Sequence, residues 1–213
     1  MSFSSKHWTN PGTYLINDSV NAVNKNSFQD EVRRCVSDVQ QHGVLALGAL
    51  FDLTASRCLR YAQSITRSQE DAEDALQAAM VRITVKPHAL GGADHPWPYF
   101  LRVVRNEALK IVRRRRSVNA STGFVDRVIE TEDSVEKDDD RHHIRVALQR
   151  LPQNQCEVVV LKIWEGMTFA EIADVLGKSP NTVASRYRYA MEKLQQQLCH
   201  LVEHTNQKVT TET

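Results

Sequence analysis

The stretch from Thr168 to Leu198 constrains this chain more than any other, because two sets of helix signals arrive there with almost no room between them. Thr168 followed by Glu171 reads as a capping box, each side chain satisfying a backbone N–H that a helix start leaves unpaired. Phe169, Ile172, Ala173 and Leu176 then fall at i, i+3, i+4 and i+7, one face of a helix. Gly177 suits the left-handed residue that ends a helix, and Ser179-Pro180 restarts the chain as an N-cap followed by proline at the first helical position. A break of about three residues is the length a helix-turn-helix allows. In the second helix Val183, Tyr187, Ala190, Leu194, Leu198 and Leu201 form one apolar stripe. Asn181, Thr182, Ser185, Arg186 and Tyr189 lie off that stripe near the N-terminal end, donors and acceptors where a recognition helix meets base edges and phosphates. The same pattern also suits a plain αα-hairpin whose polar face meets water.

The formal net charge of +1 is unpromising for a nucleic-acid binder, but it hides a segregation of charge along the chain. Residues 101 to 116 hold seven Lys or Arg against Glu107 alone, and residues 117 to 140 hold eight acids against Arg127 and Lys137. Residues 141 to 200 return to an excess of base, eight Lys or Arg against five acids. Two basic modules therefore flank an acidic tether. The scarcity of helix breakers, 8 Gly and 6 Pro in 213 residues, predicts an all-α protein, here two small helical domains. No apolar run approaches the ~20 residues that span a bilayer, and the N-terminus lacks a charged segment leading into an apolar one, so a cytoplasmic protein without membrane insertion is expected.

Along the chain, residues 1 to 26 read as a mobile extension, rich in Asn and Ser and without a period. Ser27, Asp30 and Glu31 start a helix on Phe28, Val32, Val36 and Val39 that ends near Gly43, and a second runs from Val44 to Thr66. The third, Ser68 to Val85, has acids Glu70, Asp71, Glu73 and Asp74 in its first turns and faces Ala72, Leu76, Ala79 and Ile83 inward. A Gly/Pro-rich loop at 86–98 then ends in Trp97, Tyr99 and Phe100, aromatics that either pack beneath it or offer π-faces to unstacked bases. The helix from Tyr99 to Arg116 groups Phe100, Val104, Ala108 and Ile111, with Arg102, Arg105, Asn106, Arg113 and Arg116 opposite, a stripe that suits a line of phosphates. Solvated faces usually mix charge signs; this one does not. The divisions expected are thus a first domain at 27–116, an acidic linker at 117–140, a second domain of four helices at 141–204, and a mobile tail at 205–213.

Catalytic and metal chemistry find little support. Cys35, Cys58, Cys156 and Cys199 form no CxxC pair, and Cys199, His200 and His204 lack a second ligand pair at zinc spacing. His142-His143 reads as a solvated pair at a helix start. Four acids in the first turns of one helix splay around it and do not converge on Mg²⁺, and there is no phosphate loop or nucleophile–base pairing.

Read together, DAEDALQAAMVRI at 71–83, YFLRVVRNEALKIVRRRR at 99–116, and the EIA, LG and TV-x-SR elements of the helix-turn-helix resemble the ordered motifs of a bacterial sigma factor. The resemblance is to the extracytoplasmic-function (ECF) group of the sigma-70 family of RNA polymerase sigma factors, and it covers residues 43 to 199. It implies a region 2-like helical bundle that docks on core polymerase, on its beta-prime subunit, through Asp71, Asp74 and Gln77. It implies that Trp97, Tyr99, Arg102, Arg105, Asn106 and Arg113 line the melted strand of the promoter's −10 element. It implies a region 4-like domain that reads the −35 element as duplex through Asn181, Thr182, Ser185, Arg186, Arg188 and Tyr189. Partners would be core polymerase, promoter DNA and, as a further candidate, an anti-sigma factor; no cofactor and no catalysis of its own are implied. In the same geometry the acidic tether would thread near the polymerase's active centre, an equal alternative being a solvated spacer. Tyr99 stands where the family usually has Trp, Lys110 where it often has Asp, and YAMEKL where a more basic run is common, so a weaker phosphate grip at the −35 element is expected. The runner-up is a helix-turn-helix regulator that binds duplex DNA without polymerase. Both readings need the arginine row of 102–116 to be free of carboxylates, on a half that folds separately from its companion.

Overall fold

In α2 (Leu47–Thr66), Leu50, Thr54, Cys58, Tyr61, Ala62 and Ile65 recur every third or fourth residue, and all are buried. The computed structural model describes the backbone of residues 18–122 and 139–211 and the side chains of 27–118 and 143–198. Against the α2 stripe pack α3 (Gln69–Val85) and α5 (Pro96–Thr122). The faces of α3 and α5 that meet are built largely from Ala72, Ala75, Ala79 and Ala108, small residues that let backbones approach, around Leu76, Phe100, Leu101 and Val104. α1 (Asp18–His42) lays Phe28, Val32, Val36 and Val39 across α2, α5 and the short α4 (Pro87–Gly91), and a 3-10 turn at Gly43–Ala46 joins it to α2. Burying such a side chain stabilises by roughly 1.5–3 kcal/mol, so the four-residue stripe is enough to hold α1 down.

The second half begins with α6 (Asp139–Arg150) and α7 (Gln153–Ile163) and continues with α8 (Phe169–Leu176) and α9 (Pro180–Thr211). Leu151 and Pro152 break α6 from α7, as the proline predicts. Cys156 and Val158 to Leu161 are all buried, because α7 lies between α9 on one side and α2 of the first half on the other.

The all-α architecture and the two helical halves are therefore as expected, and no strand occurs among the described residues. Their separation is not. Buried residues run without a break from one half to the other, with α7 seated on α2 and α8 on α5. Boundaries also differ. α1 begins at Asp18 inside the extension, α5 continues to Thr122 and α9 to Thr211, because no Gly or Pro interrupts those stretches. The loop at 86–98 contains α4, and α5 starts at Pro96, where proline's missing N–H costs nothing. The rest of the acidic tether, 123–138, the first seventeen residues, and the side chains of His142, Cys199, His200, Leu201 and His204 lie outside the described residues.

Candidate nucleic-acid interface

The helix-turn-helix forms as its capping signals require. Thr168 Oγ1 accepts from the Glu171 N–H at 3.2 Å, while a Glu171 carboxylate oxygen accepts from the Thr168 N–H at 2.7 Å. Gly177 takes the left-handed conformation at φ 62° that ends α8, which a side chain would strain. Ser179 Oγ accepts from the Thr182 N–H at 3.2 Å, and Pro180 opens α9. Val183, Ala190 and Leu194 anchor α9 to the core, with the Tyr187 ring 5.6 Å from Phe169, under Lys162. Burial pushes the Tyr187 phenol up, which suits its packing role.

Outside that anchor, Asn181, Ser185, Arg188 and Tyr189 are exposed, and Thr182 and Arg186 are half-buried. Ser185 donates to the Asn181 carbonyl at 2.9 Å, so its hydroxyl is partly engaged. Arg188 reaches Glu192 at 4.0 Å and lies over the Tyr189 ring at 4.9 Å. Arg186 makes no ion pair among the described residues. All six candidate residues thus sit in the first three turns of one helix, each within two residues of Val183, Tyr187 or Ala190 on its anchored face.

The arginine row on α5 is partly occupied. Arg105 Nε donates to Glu157 of α7 at 2.6 Å, and Arg102 donates to the Asp174 carbonyl of α8. Burial alone would lower the Arg105 pKa; the Glu157 carboxylate more than offsets this, and the net shift is upward. The hydroxyl of Tyr61 lies against the same pair; burial and then the Glu157 charge push it well up, against the pull of Arg105. Arg115 donates to Asp71 at 2.7 Å, tying the acidic turn of α3 to α5. Asn106, Arg113, Arg114 and Arg116 are exposed, Arg113 donating to the Leu109 carbonyl at 3.1 Å. Glu107, the acid that breaks the basic run, is nearly buried and held by Arg82 at 3.2 Å and Lys110 at 2.8 Å.

Among the aromatics, Trp97 is 2% exposed and packs edge-on to Phe28 at 5.0 Å and to Phe100 at 6.1 Å. It offers no face to a base in this arrangement, and its role here is to seat the start of α5. Tyr99 is half-buried. On α3, Asp74 and Gln77 are exposed and Asp71 is half-buried beneath Arg115.

Sequence reasoning missed the carboxylates that meet these cations. Glu157 and Glu165 are 2% and 4% exposed, and Arg57 and Arg60 of α2 both donate to Glu165 at 3.1 Å. Arg67, which ends α2 at a left-handed φ of 58°, donates to the Gln149 and Leu151 carbonyls at the end of α6. One signal was present: Glu157 is the lone charge between Cys156 and Leu161, and an acid in a segment buried all round needs a partner. Cys58 and Cys156 lie in the same layer, where burial pushes both thiols up, Cys156 to about 11, and neither is a reactive thiolate.

Comparison with known proteins matches two families, one in each half of the chain. The Sigma-70 region 2 family matches residues 50–118, and the Sigma-70 region 4 family matches residues 141–194. An RNA polymerase sigma-E factor of Streptomyces avermitilis is 31% identical over 140 residues, which cover 66% of this chain and 78% of the relative. The ECF RNA polymerase sigma factor SigL of Mycobacterium tuberculosis is 30% identical over 150 residues, covering 68% and 85%. Among solved structures, the sigma factor RpoE of Bartonella quintana, in complex with the anti-sigma factor NepR, superposes with a TM-score of 0.61 over 70% of this chain and 93% of that one. At 23% identity that likeness is one of fold.

Proposed function

The chain belongs to the sigma-70 family of RNA polymerase sigma factors, in its extracytoplasmic-function group, and on that premise we propose how its residues share the work of initiation. The protein directs core polymerase to specific promoters, capturing the parted −10 strand with one half and reading the −35 duplex with the other. The observation that carries this is the presence of both family regions, in order, on one chain.

In the first half, Asp74 and Gln77, with Asp71 beside them, form the docking face for core polymerase on its beta-prime subunit. Arg102, Arg105, Asn106 and Arg113 follow the phosphates of the melted strand, because a strand freed of its partner keeps its charge while exposing its bases. Tyr99 supplies the stacking face, and Trp97 holds the loop from below. In the second half, Arg186 and Asn181 address base edges, while Thr182, Ser185, Arg188 and Tyr189 fix the helix on the backbone. The polymerase carries the chemistry, so the protein needs no active site, and its place of work is the cytoplasm. Its solved relative is bound to an anti-sigma factor, which makes such an inhibitor the expected regulator here.

Reconstitution tests the reading. Core polymerase supplemented with this protein should start transcripts at a discrete subset of promoters on genomic DNA, with shared sequence at both upstream elements. A chain that footprints duplex DNA unaided and leaves core polymerase inert would be an independent regulator instead.

A further inference from the structure

Where α3 meets α5, the seam is built largely from Ala72, Ala75, Ala79 and Ala108, all buried. Small side chains let the two backbones approach but leave few ridges to interdigitate, so such a seam fixes the axial register of one helix on the other only weakly. Two ion pairs of opposite polarity bracket it. At one end the acid is on α3 and the base on α5, Asp71 with Arg115 at 2.7 Å. At the other the base is on α3 and the acid on α5, Arg82 with Glu107 at 3.2 Å. The helices run antiparallel, since the earlier residue of α3 meets the later residue of α5. A slide of α5 in one direction carries Arg115 toward Arg82, and a slide in the other carries Glu107 toward Asp71. Like charges therefore oppose both movements.

Arg115 stands on the buried line of α5. Leu101, Val104, Ala108 and Val112 are buried at spacings of three and four, and Arg115 is the next position in that series. Its side chain is 33% exposed and that of Asp71 20%, whereas Arg113, Arg114 and Arg116 around it are exposed. Four consecutive arginines thus divide by face, three outward and one toward α3.

We propose that Arg115 is a positioning residue: its pair with Asp71, set against the pair of Arg82 with Glu107, locks the register of α5 on α3 and so fixes where Arg113, Arg114 and Arg116 meet the promoter backbone. This role rests on the sigma factor reading, in which α3 docks on polymerase and α5 follows the DNA. A register shift of one residue moves a side chain by about 1.5 Å along the axis and turns it by about 100°, enough to take a guanidinium off a phosphate. Asp71, beside Asp74 and Gln77, is the residue through which the docking helix holds α5.

Charge reversal separates positioning from contact. Arg115→Asp sets like charges against each other at Asp71, and Asp71→Arg with Arg115→Asp restores the pair in reverse. Open complexes of core polymerase with Arg115→Asp should decay at least about tenfold faster than wild type after heparin challenge, and the double reversal should recover to within about threefold. Lifetime is read on complexes already assembled, so docking affinity does not set it. An aspartate at 115 cannot grip a phosphate whatever stands at 71. A double reversal as short-lived as Arg115→Asp therefore overturns the proposal, as does an Arg115→Asp complex that lives as long as wild type. Urea unfolding of the free proteins supplies a second readout with gentler variants: Asp71→Asn and Arg115→Gln together should lose clearly less stability than the sum of their separate losses. Additive losses would show the two side chains uncoupled and overturn the lock. A wild type that forms no open complex strikes the sigma factor reading instead, and the urea cycle then decides the lock by itself.

Discussion

At the residue scale, two arginines two residues apart on α9 have different freedom. Arg188 divides itself between Glu192 and the Tyr189 ring, whereas Arg186 has no competing carboxylate among the described residues and is half-buried beside the anchored face. A guanidinium with no competing carboxylate is the better reader of a guanine edge, because its fork is free to pair with the base. Arg186→Ala should therefore weaken −35 binding by about 1–3 kcal/mol and relax preference at one base pair, measured by competition among single-base variants of the site. Arg188→Ala should weaken all sequences alike and by less. Equal losses across every sequence for Arg186→Ala would make it a phosphate contact too. Among the acids, Glu107 and Glu157 look alike in sequence and do different things. Glu107 is clamped within its own half by Arg82 and Lys110, whereas Glu157 reaches across to Arg105.

At the element scale, α1 has the apolar stripe that the sequence displays, and Phe28 is its terminal anchor, 9% exposed between Trp97 and Arg57. Phe28→Ala removes a ring from that layer and should cost roughly 3 kcal/mol of stability, read as a lower urea midpoint with little change in slope. The helix-turn-helix was legible to the residue, because capping box, Gly177 and Ser179-Pro180 are local signals whose physics needs no tertiary partner. The stripe of α3 was legible for the same reason, period alone placing Leu76 and Ile83 inside. What could not be read was pairing between elements far apart in sequence. Trp97 was as good a stacking platform as a core residue until Phe28 was seen at its edge. The arginine row was as good a free stripe as a paired one until α7 brought Glu157 to Arg105. Helix ends were misjudged where composition changed without a breaker, as at Ser117 to Thr122, since polarity alone does not stop a helix that nothing interrupts.

At the scale of the whole molecule, a net charge of +1 is the sum of two basic halves and an anionic tether, and the packing of the halves matches cations of the first to acceptors of the second. The surface that remains cationic when the halves are closed is the exposed run of Arg113, Arg114 and Arg116. Arg102 is exposed beside it and donates to the Asp174 carbonyl, whereas Arg105 is held on Glu157. Their contribution should be visible in counterion release by the open complex with core polymerase. Each phosphate they neutralise on single-stranded DNA adds about 0.7 to the slope of log affinity against log salt, so Arg102→Gln with Arg105→Gln should flatten that slope by about 1.4. Open-complex lifetime on a heparin-challenged template, measured across a salt series, gives the slope. An unchanged slope with a shorter lifetime would mean that the two arginines act by packing and leave the phosphates to Arg113 and its neighbours. Because the same substitution leaves Glu157 buried without its cation, the double variant should also lose stability, read as a lower urea midpoint.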